Sequence, residues 1–212
     1  EDALAAARAF GASASHELRT PLQSALTNLD VASASGHGGA EVDAARDELR
    51  RAAERLSAVR ALSAVDLVSA AEFVEHDLVE LVDRVLAGFT GRFESVDLLG
   101  ADHVTIRGWP EGISLAIENV VRNASVHANP GESVALVVRV ATDATVTIDD
   151  DGSGIGADER ARLLGRYERG STSAAGSGLG LTLAARVSAA HGGSLVLDDS
   201  PTGGLRAILR FS

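Results

Sequence analysis

A histidine, a pair of asparagines, a run of aspartates and two glycine-rich turns are the features of this chain best suited to chemistry. His16 stands in Ser15-His16-Glu17-Leu18-Arg19-Thr20-Pro21-Leu22. On a helix it lies about 160° from the stripe of Leu18, Leu22 and Leu29, so its imidazole faces solvent rather than a core. Glu17 is adjacent and suited to accept a hydrogen bond from one ring nitrogen, leaving the other as a nucleophile. Thr20, four residues on, shares the face of His16. Pro21 removes a backbone hydrogen bond and bends the axis, at a cost of about 3 kcal/mol. An ordinary surface histidine on a kinked helix accounts equally well for each feature taken singly.

Asn119, Asn123 and His127 are spaced by four, on a different face from the apolar stripe of Ile113, Ile117, Val120 and Ala124. Buried amides need partners, since each one left unpaired costs about 1–3 kcal/mol. They are either a pair that caps loops or a ligand-binding ladder. Asp149-Asp150-Asp151-Gly152-Ser153-Gly154-Ile155-Gly156 follows a strand, and its glycines let backbone approach a ligand closely. A dinucleotide fingerprint is excluded there: three aspartates oppose a pyrophosphate, and no parallel βαβ unit surrounds them. A calcium loop is excluded because the ligand spacing of a helix–loop–helix site is absent. An acidic group suits instead the amino group of adenine. Gly176-Ser177-Gly178-Leu179-Gly180-Leu181 opens a helix, whose first backbone N–H groups form a phosphate cradle. A flexible linker has a similar composition.

Together these segments resemble the boxes of sensor histidine kinases. The stretch around His16 is similar to the phospho-acceptor box, with Phe10 six residues ahead as that pattern requires. Ser13 departs from its usual acidic or amide residue. The resemblance implies that His16 is phosphorylated, that Glu17 is its general base, and that Thr20 positions water when the enzyme runs as a phosphatase. Glu118 to His127 resembles the asparagine box, which implies that Asn123 ligates Mg²⁺ and Asn119 lines the pocket. Val126 stands where the family has Lys or Arg, so Arg122 or an arginine of the lid would have to replace one phosphate contact. The aspartate run resembles the first glycine box, with Asp150 on adenine and Gly152 and Gly154 in the turn. Residues 176–180 resemble the second, which implies phosphate contacts from Gly176, Gly178, Leu179 and Gly180. Between them Arg166-Tyr167-Glu168-Arg169-Gly170 resembles the aromatic box, with Tyr167 for the usual Phe. Residues 170–177 then form the lid, and Arg169 is the candidate γ-phosphate contact. The resemblance runs from Phe10 to about Phe211, and is strongest to membrane-anchored two-component sensors of actinobacterial type.

Those residues need two kinds of scaffold. Residues 1–68 read as two amphipathic helices joined by a Gly-rich turn at 33–39. One hairpin buries both apolar stripes poorly, so a homodimeric four-helix bundle is expected. Residues 74–212 read as a two-layer α/β sandwich that binds ATP. Helices are expected around Val79, Leu81, Val82, Val85 and Leu86, and at 111–128 and 179–191, with strands at 104–106, 134–140, 145–149, 194–197 and 205–211. A sparse linker near 66–76 must flex to bring ATP to His16. The 212 residues suffice for these two domains, and at 3% aromatic the core must be aliphatic. A net charge of −11 disfavours nucleic acid and anionic membranes. No cysteine is present, which excludes disulfides, thiolate zinc sites and cysteine nucleophiles. No run approaches the ~18 apolar residues that span a bilayer. The first residues already read as helix, so membrane contact is expected only through a missing N-terminal segment of a plasma-membrane sensor, with this chain its cytoplasmic portion.

The expected activity is autophosphorylation of His16 from Mg-ATP, then transfer to an aspartate on a response regulator receiver domain. A nucleotide-binding switch that has lost the kinase reaction is the alternative, with Val126 in its favour. An ATPase of the mismatch-repair or heat-shock chaperone kind would need a glutamate where Asn119 stands, and has no histidine box.

Overall fold

Three runs of the chain alternate apolar and half-exposed residues with a period of two, and all three are strands: β4 (Ala135–Val140), β5 (Thr145–Asp150) and β7 (Leu205–Arg210). Leu136, Val138 and Val140 on β4 are buried, as are Val146 and Ile148 on β5 and Leu205, Ala207 and Leu209 on β7. One face of the sheet is thus covered and the other is half open, the pattern of a sheet with helices on one side.

The computed structural model describes residues 72–126, 134–160 and 178–212, with positions 22, 25–32, 39, 42–46, 48–49, 52–53, 62, 65 and 68 before them. The chain divides into two units, Glu1–Leu67 and Val68–Ser212. In the first, residues 25–32 and 42–46 are helical. The Val42 N–H donates to the Gly39 carbonyl at 2.9 Å, and Arg46 Nε lies 4.0 Å from Asp30 Oδ1. The bundle expected around His16 lies outside the described residues.

The second unit adds β1 (Val74–Asp77), β2 (Ser95–Gly100), β3 (Thr105–Gly108) and β6 (Leu195–Asp199), with helices α1 (Leu78–Ala87), α2 (Pro110–Val126) and α3 (Gly178–Ala190). Five strands run in the order β2-β4-β5-β7-β6, while β1 and β3 form a separate ribbon. Among the described residues only β2 and β4 pair parallel, and every other pairing is antiparallel. Asp77 ends the ribbon and begins α1: its Oδ1 accepts the N–H groups of Val79 at 2.9 Å and Val104 at 3.1 Å. Pro110 opens α2, where its fixed φ suits the first helical position. Helix α2 packs against α1 and α3, and its fully buried Ile113, Ile117 and Val121 belong to the core.

The strands β1 and β2 were not expected. Val74-Glu75-His76-Asp77 carries one apolar residue, and β1 gains its place by pairing with β3 in the register Val74↔Gly108 to Asp77↔Thr105. Strand β2 is an edge with exposed Val96 and Leu99, so it lacks the alternation that a half-buried strand displays.

His191 ties the ends together. It is buried, its Nδ1–H donates to the Val187 carbonyl at 2.7 Å, and its Nε2 accepts the Trp109 N–H at 2.9 Å. Phe73 and Phe211 flank the ring at 4.7 and 5.7 Å between centroids.

Candidate functional site

Asp149 and Asp150 end β5, where successive side chains alternate faces, and Asp151 stands just beyond the strand. Asp151 turns to the neighbouring strand, where it accepts the Ala135 N–H at 2.7 Å. Asp149 lies on the open face between two arginines. Arg206 meets it with a two-point fork, Nε to Oδ1 at 2.7 Å and Nη2 to Oδ2 at 2.9 Å, and Arg139 Nη1 adds a bond at 2.9 Å. Asp150 continues the row of Val146 and Ile148, so it belongs to the helix-covered face.

Asp150 is 8% exposed. Its Oδ1 accepts two backbone N–H groups, from Gly152 and Leu205, each at 3.0 Å. Its carbonyl accepts the Thr202 hydroxyl at 2.8 Å. No described residue bonds Oδ2. Burial pushes the carboxyl above the usual carboxylate range; the two N–H donors oppose that, and the charges of Asp151 and Asp149 reinforce it. A desolvated carboxylate with one oxygen held by the backbone and one free is an acceptor for a ligand N–H group.

The turn between β6 and β7 forms one wall beside Asp150. A Cβ on Gly204 would stand 2.1 Å from Asp150 Oδ1 and 2.5 Å from its carbonyl oxygen, so only glycine lets the hairpin come this close. Ser200 Oγ bonds Thr202 Oγ1 at 2.5 Å and stiffens the turn. Gly154 has φ 68°, and its Cα faces the carbonyls of Gly203 and Gly204. The structure thus brings Asp150, Gly152 and Gly154 together with the turn between β6 and β7. The Gly203-Gly204 doublet was the visible signal. Its contact with a residue more than fifty positions earlier was not.

Asn119 and Asn123 lie one turn apart on α2, both half-buried. The Asn119 amide donates to the Leu115 carbonyl at 2.8 Å. Its Oδ1 faces α3 so closely that a Cβ on Gly180 would stand 2.8 Å away. Asn119 and the start of α3, where Gly178, Leu179 and Gly180 lie, therefore meet. The Asn123 amide makes no hydrogen bond among the described residues. Arg122 is held on the α1 side of α2 by Glu118, with its guanidinium 5.9 Å from the centre of the Phe89 ring. Among the described residues no group of three or more His, Asp or Glu side chains could hold a metal, and no helix is long and apolar enough to cross a membrane. His16, Glu17, Thr20, Arg169 and Gly176 lie outside the described residues.

Residues 108–212 match the family of histidine kinase-, DNA gyrase B-, and HSP90-like ATPases. The chain is similar over its full length to the sensor-type histidine kinase PrrB of Mycobacterium leprae, at 37% identity over 49% of that protein. Over 90% of its length it is 34% identical to the histidine-protein kinase/phosphatase MprB of Mycobacterium ulcerans, covering 40% of that protein. The chain thus spans about half the length of the curated relatives it matches. Among solved structures, the ATP binding domain of PrrB from Mycobacterium tuberculosis superposes with a TM-score of 0.52 at 31% identity, over 66% of this chain and 96% of that one.

Proposed function

The chain belongs to the sensor histidine kinase family, and from that premise we propose that it uses Mg-ATP to phosphorylate its own His16 and then passes the phosphoryl group to an aspartate on a response regulator receiver domain. The observation that carries this reading is Asp150, buried, with Oδ1 committed to two backbone N–H groups. Adenine presents its amino group to Oδ2. Gly152 and Gly154 admit the nucleotide, and Asn119 lines the pocket beside the start of α3. There the N–H groups of Gly176, Gly178, Leu179 and Gly180 receive the phosphates, and Arg169 reaches the γ-phosphate. Arg122 is committed to Glu118, which favours the lid arginine over it for that contact.

Mg²⁺ fits the donors present. The Asn123 oxygen is a hard ligand on an amide with no other described partner, and Mg²⁺ needs few protein ligands because waters and phosphates complete its shell. Bound there, it would neutralise charge on the phosphates. Glu17 orients and deprotonates His16, which attacks the γ-phosphate in line as ADP leaves. Thr20 positions water when the phosphorylated regulator is hydrolysed. Residues 1–68 dimerise as a four-helix bundle that carries His16, and residues 74–212 deliver ATP. The whole works as the cytoplasmic portion of a membrane sensor.

The test is incubation with γ-labelled ATP and Mg²⁺ beside His16→Gln and Asn123→Ala. An acid-labile, base-stable label absent from both variants is expected. Tight ATP binding without label would replace the kinase reading with that of a nucleotide-binding switch. Label surviving in His16→Gln would move the acceptor elsewhere.

A further inference from the structure

We propose that Asp149 and Arg206 are a positioning pair that sets Asp150 for adenine recognition from the opposite face of the sheet, an inference that rests on the adenine-nucleotide reading above. Asp149 cannot touch a nucleotide that Asp150 holds, since neighbours on a strand point to opposite faces. Its side chain is nevertheless fully buried, under the guanidinium groups of Arg206 and Arg139. An apolar pair of similar volume is often as stabilising as a buried ion pair. What an apolar pair lacks is directional bonding that fixes one register.

The register is where this pair acts. Arg206 stands directly opposite Asp149 in the β5–β7 ladder. The residue before it, Leu205, donates its N–H to Asp150 Oδ1 at 3.0 Å. The one before that, Gly204, lies against the same carboxylate. The rigid guanidinium fork holds β7 at two points on Asp149. It thereby holds the Leu205 N–H where Oδ1 needs it, which leaves Oδ2 for the ligand. A slip of one residue would exchange the faces of β7 and take that N–H away.

The experiment measures dissociation constants for ADP and GDP by competition with a fluorescent nucleotide, using the full chain well below its unfolding temperature. Asp149→Asn and Arg206→Gln are expected to weaken ADP about tenfold while GDP binding is unchanged, so the preference for adenine falls by the same factor. Arg206→Lys keeps the charge but not the fork, and should recover part of the preference. Arg84→Gln, at an exposed pair with Glu80 on α1, should stay within about twofold of the parent. Variants that melt earlier yet keep the full ADP/GDP preference would reduce the pair to a structural one and overturn the proposal. Should Arg206→Gln not fold, full preference in Arg206→Lys would do the same. A parent chain that does not prefer ADP would sink the nucleotide reading itself, and the positioning role with it. A lost preference confined to the variants separates the two cases.

Discussion

Burial raises the pKa of Asp150, so the fold disfavours the ionised form that the proposed contact with adenine requires. A carboxyl with a raised folded pKa contributes its stability below the unfolded value near 3.8, and loses it as pH rises through the folded value. The ionised carboxylate is therefore costlier at this position than at an exposed one. Asp150→Asn keeps an oxygen for the Gly152 and Leu205 N–H groups but offers ligand an NH₂ in place of Oδ2. It is expected to melt no lower than the parent at pH 7 and to bind ATP at least about thirtyfold more weakly, because a site built for a hydrogen bond rejects the mismatched partner. Calorimetry and a nucleotide titration on the same samples check both halves. His191 has the opposite sign. Burial lowers its pKa, the bond to Val187 opposes this, and His76 adds to it. Protonation would set a second N–H against the Trp109 N–H. The stability it contributes is complete above pH 6.5 and is lost as pH falls toward the lowered folded value. His191→Gln, neutral at every pH, should cost about 2–3 kcal/mol at pH 7.5 through lost ring packing, and show a smaller drop in melting temperature from pH 7.5 to 5.5 than the parent.

At the scale of elements, substitution of two glycines should differ in its effect on stability and agree in weakening binding. Gly204→Ala drives a Cβ into Asp150 and into backbone, which cannot yield, so about 1–3 kcal/mol of stability and most nucleotide affinity should be lost. Gly180→Ala presses instead on the Asn119 side chain. Alanine gains about 1 kcal/mol of helix propensity over glycine, which offsets that strain. Its melting temperature should stay near that of the parent while ATP affinity falls several-fold; unchanged affinity would remove Asn119 from the pocket. Elements with a strong period were legible from sequence: the α2 stripe, and the alternation in β4, β5 and β7. Strand β2 was not, because an edge that exposes Val96 and Leu99 has no inside and outside to alternate. Strand β1 was not, because its place comes from β3, some thirty residues later. The candidate site divides in the same way. Asp150 and its glycines are contiguous, so a motif reveals them. The Thr202 and Gly204 wall and the Arg206 fork are brought in by the β5–β7 pairing, which local pattern does not encode.

For the whole molecule, the covered face of the five-stranded sheet and the three helices bury one another within Val68–Ser212. The described residues of the Asp150 site, from Asn119 to Gly204, also fall inside that unit. The proposed chemistry needs something that unit lacks, since His16 belongs to the other. Recognition of nucleotide and transfer of phosphate should therefore be separable by cutting the chain. Residues 68–212 alone are expected to unfold in one transition and to bind ATP within about twofold of the full chain, because a unit with its own core keeps its site. They should sediment as a monomer, whereas the full chain should sediment as a dimer, because the proposed bundle would bury the amphipathic stripes of residues 1–68. They should take no label from γ-labelled ATP. A fragment that still dimerises would move the dimer contact onto the sandwich, for which the exposed edge of β2 is the obvious place. A fragment that folds but no longer binds ATP would show that the first 67 residues complete the nucleotide site, and the two tasks would then not be divided between the units as the positions of Asp150 and His16 imply.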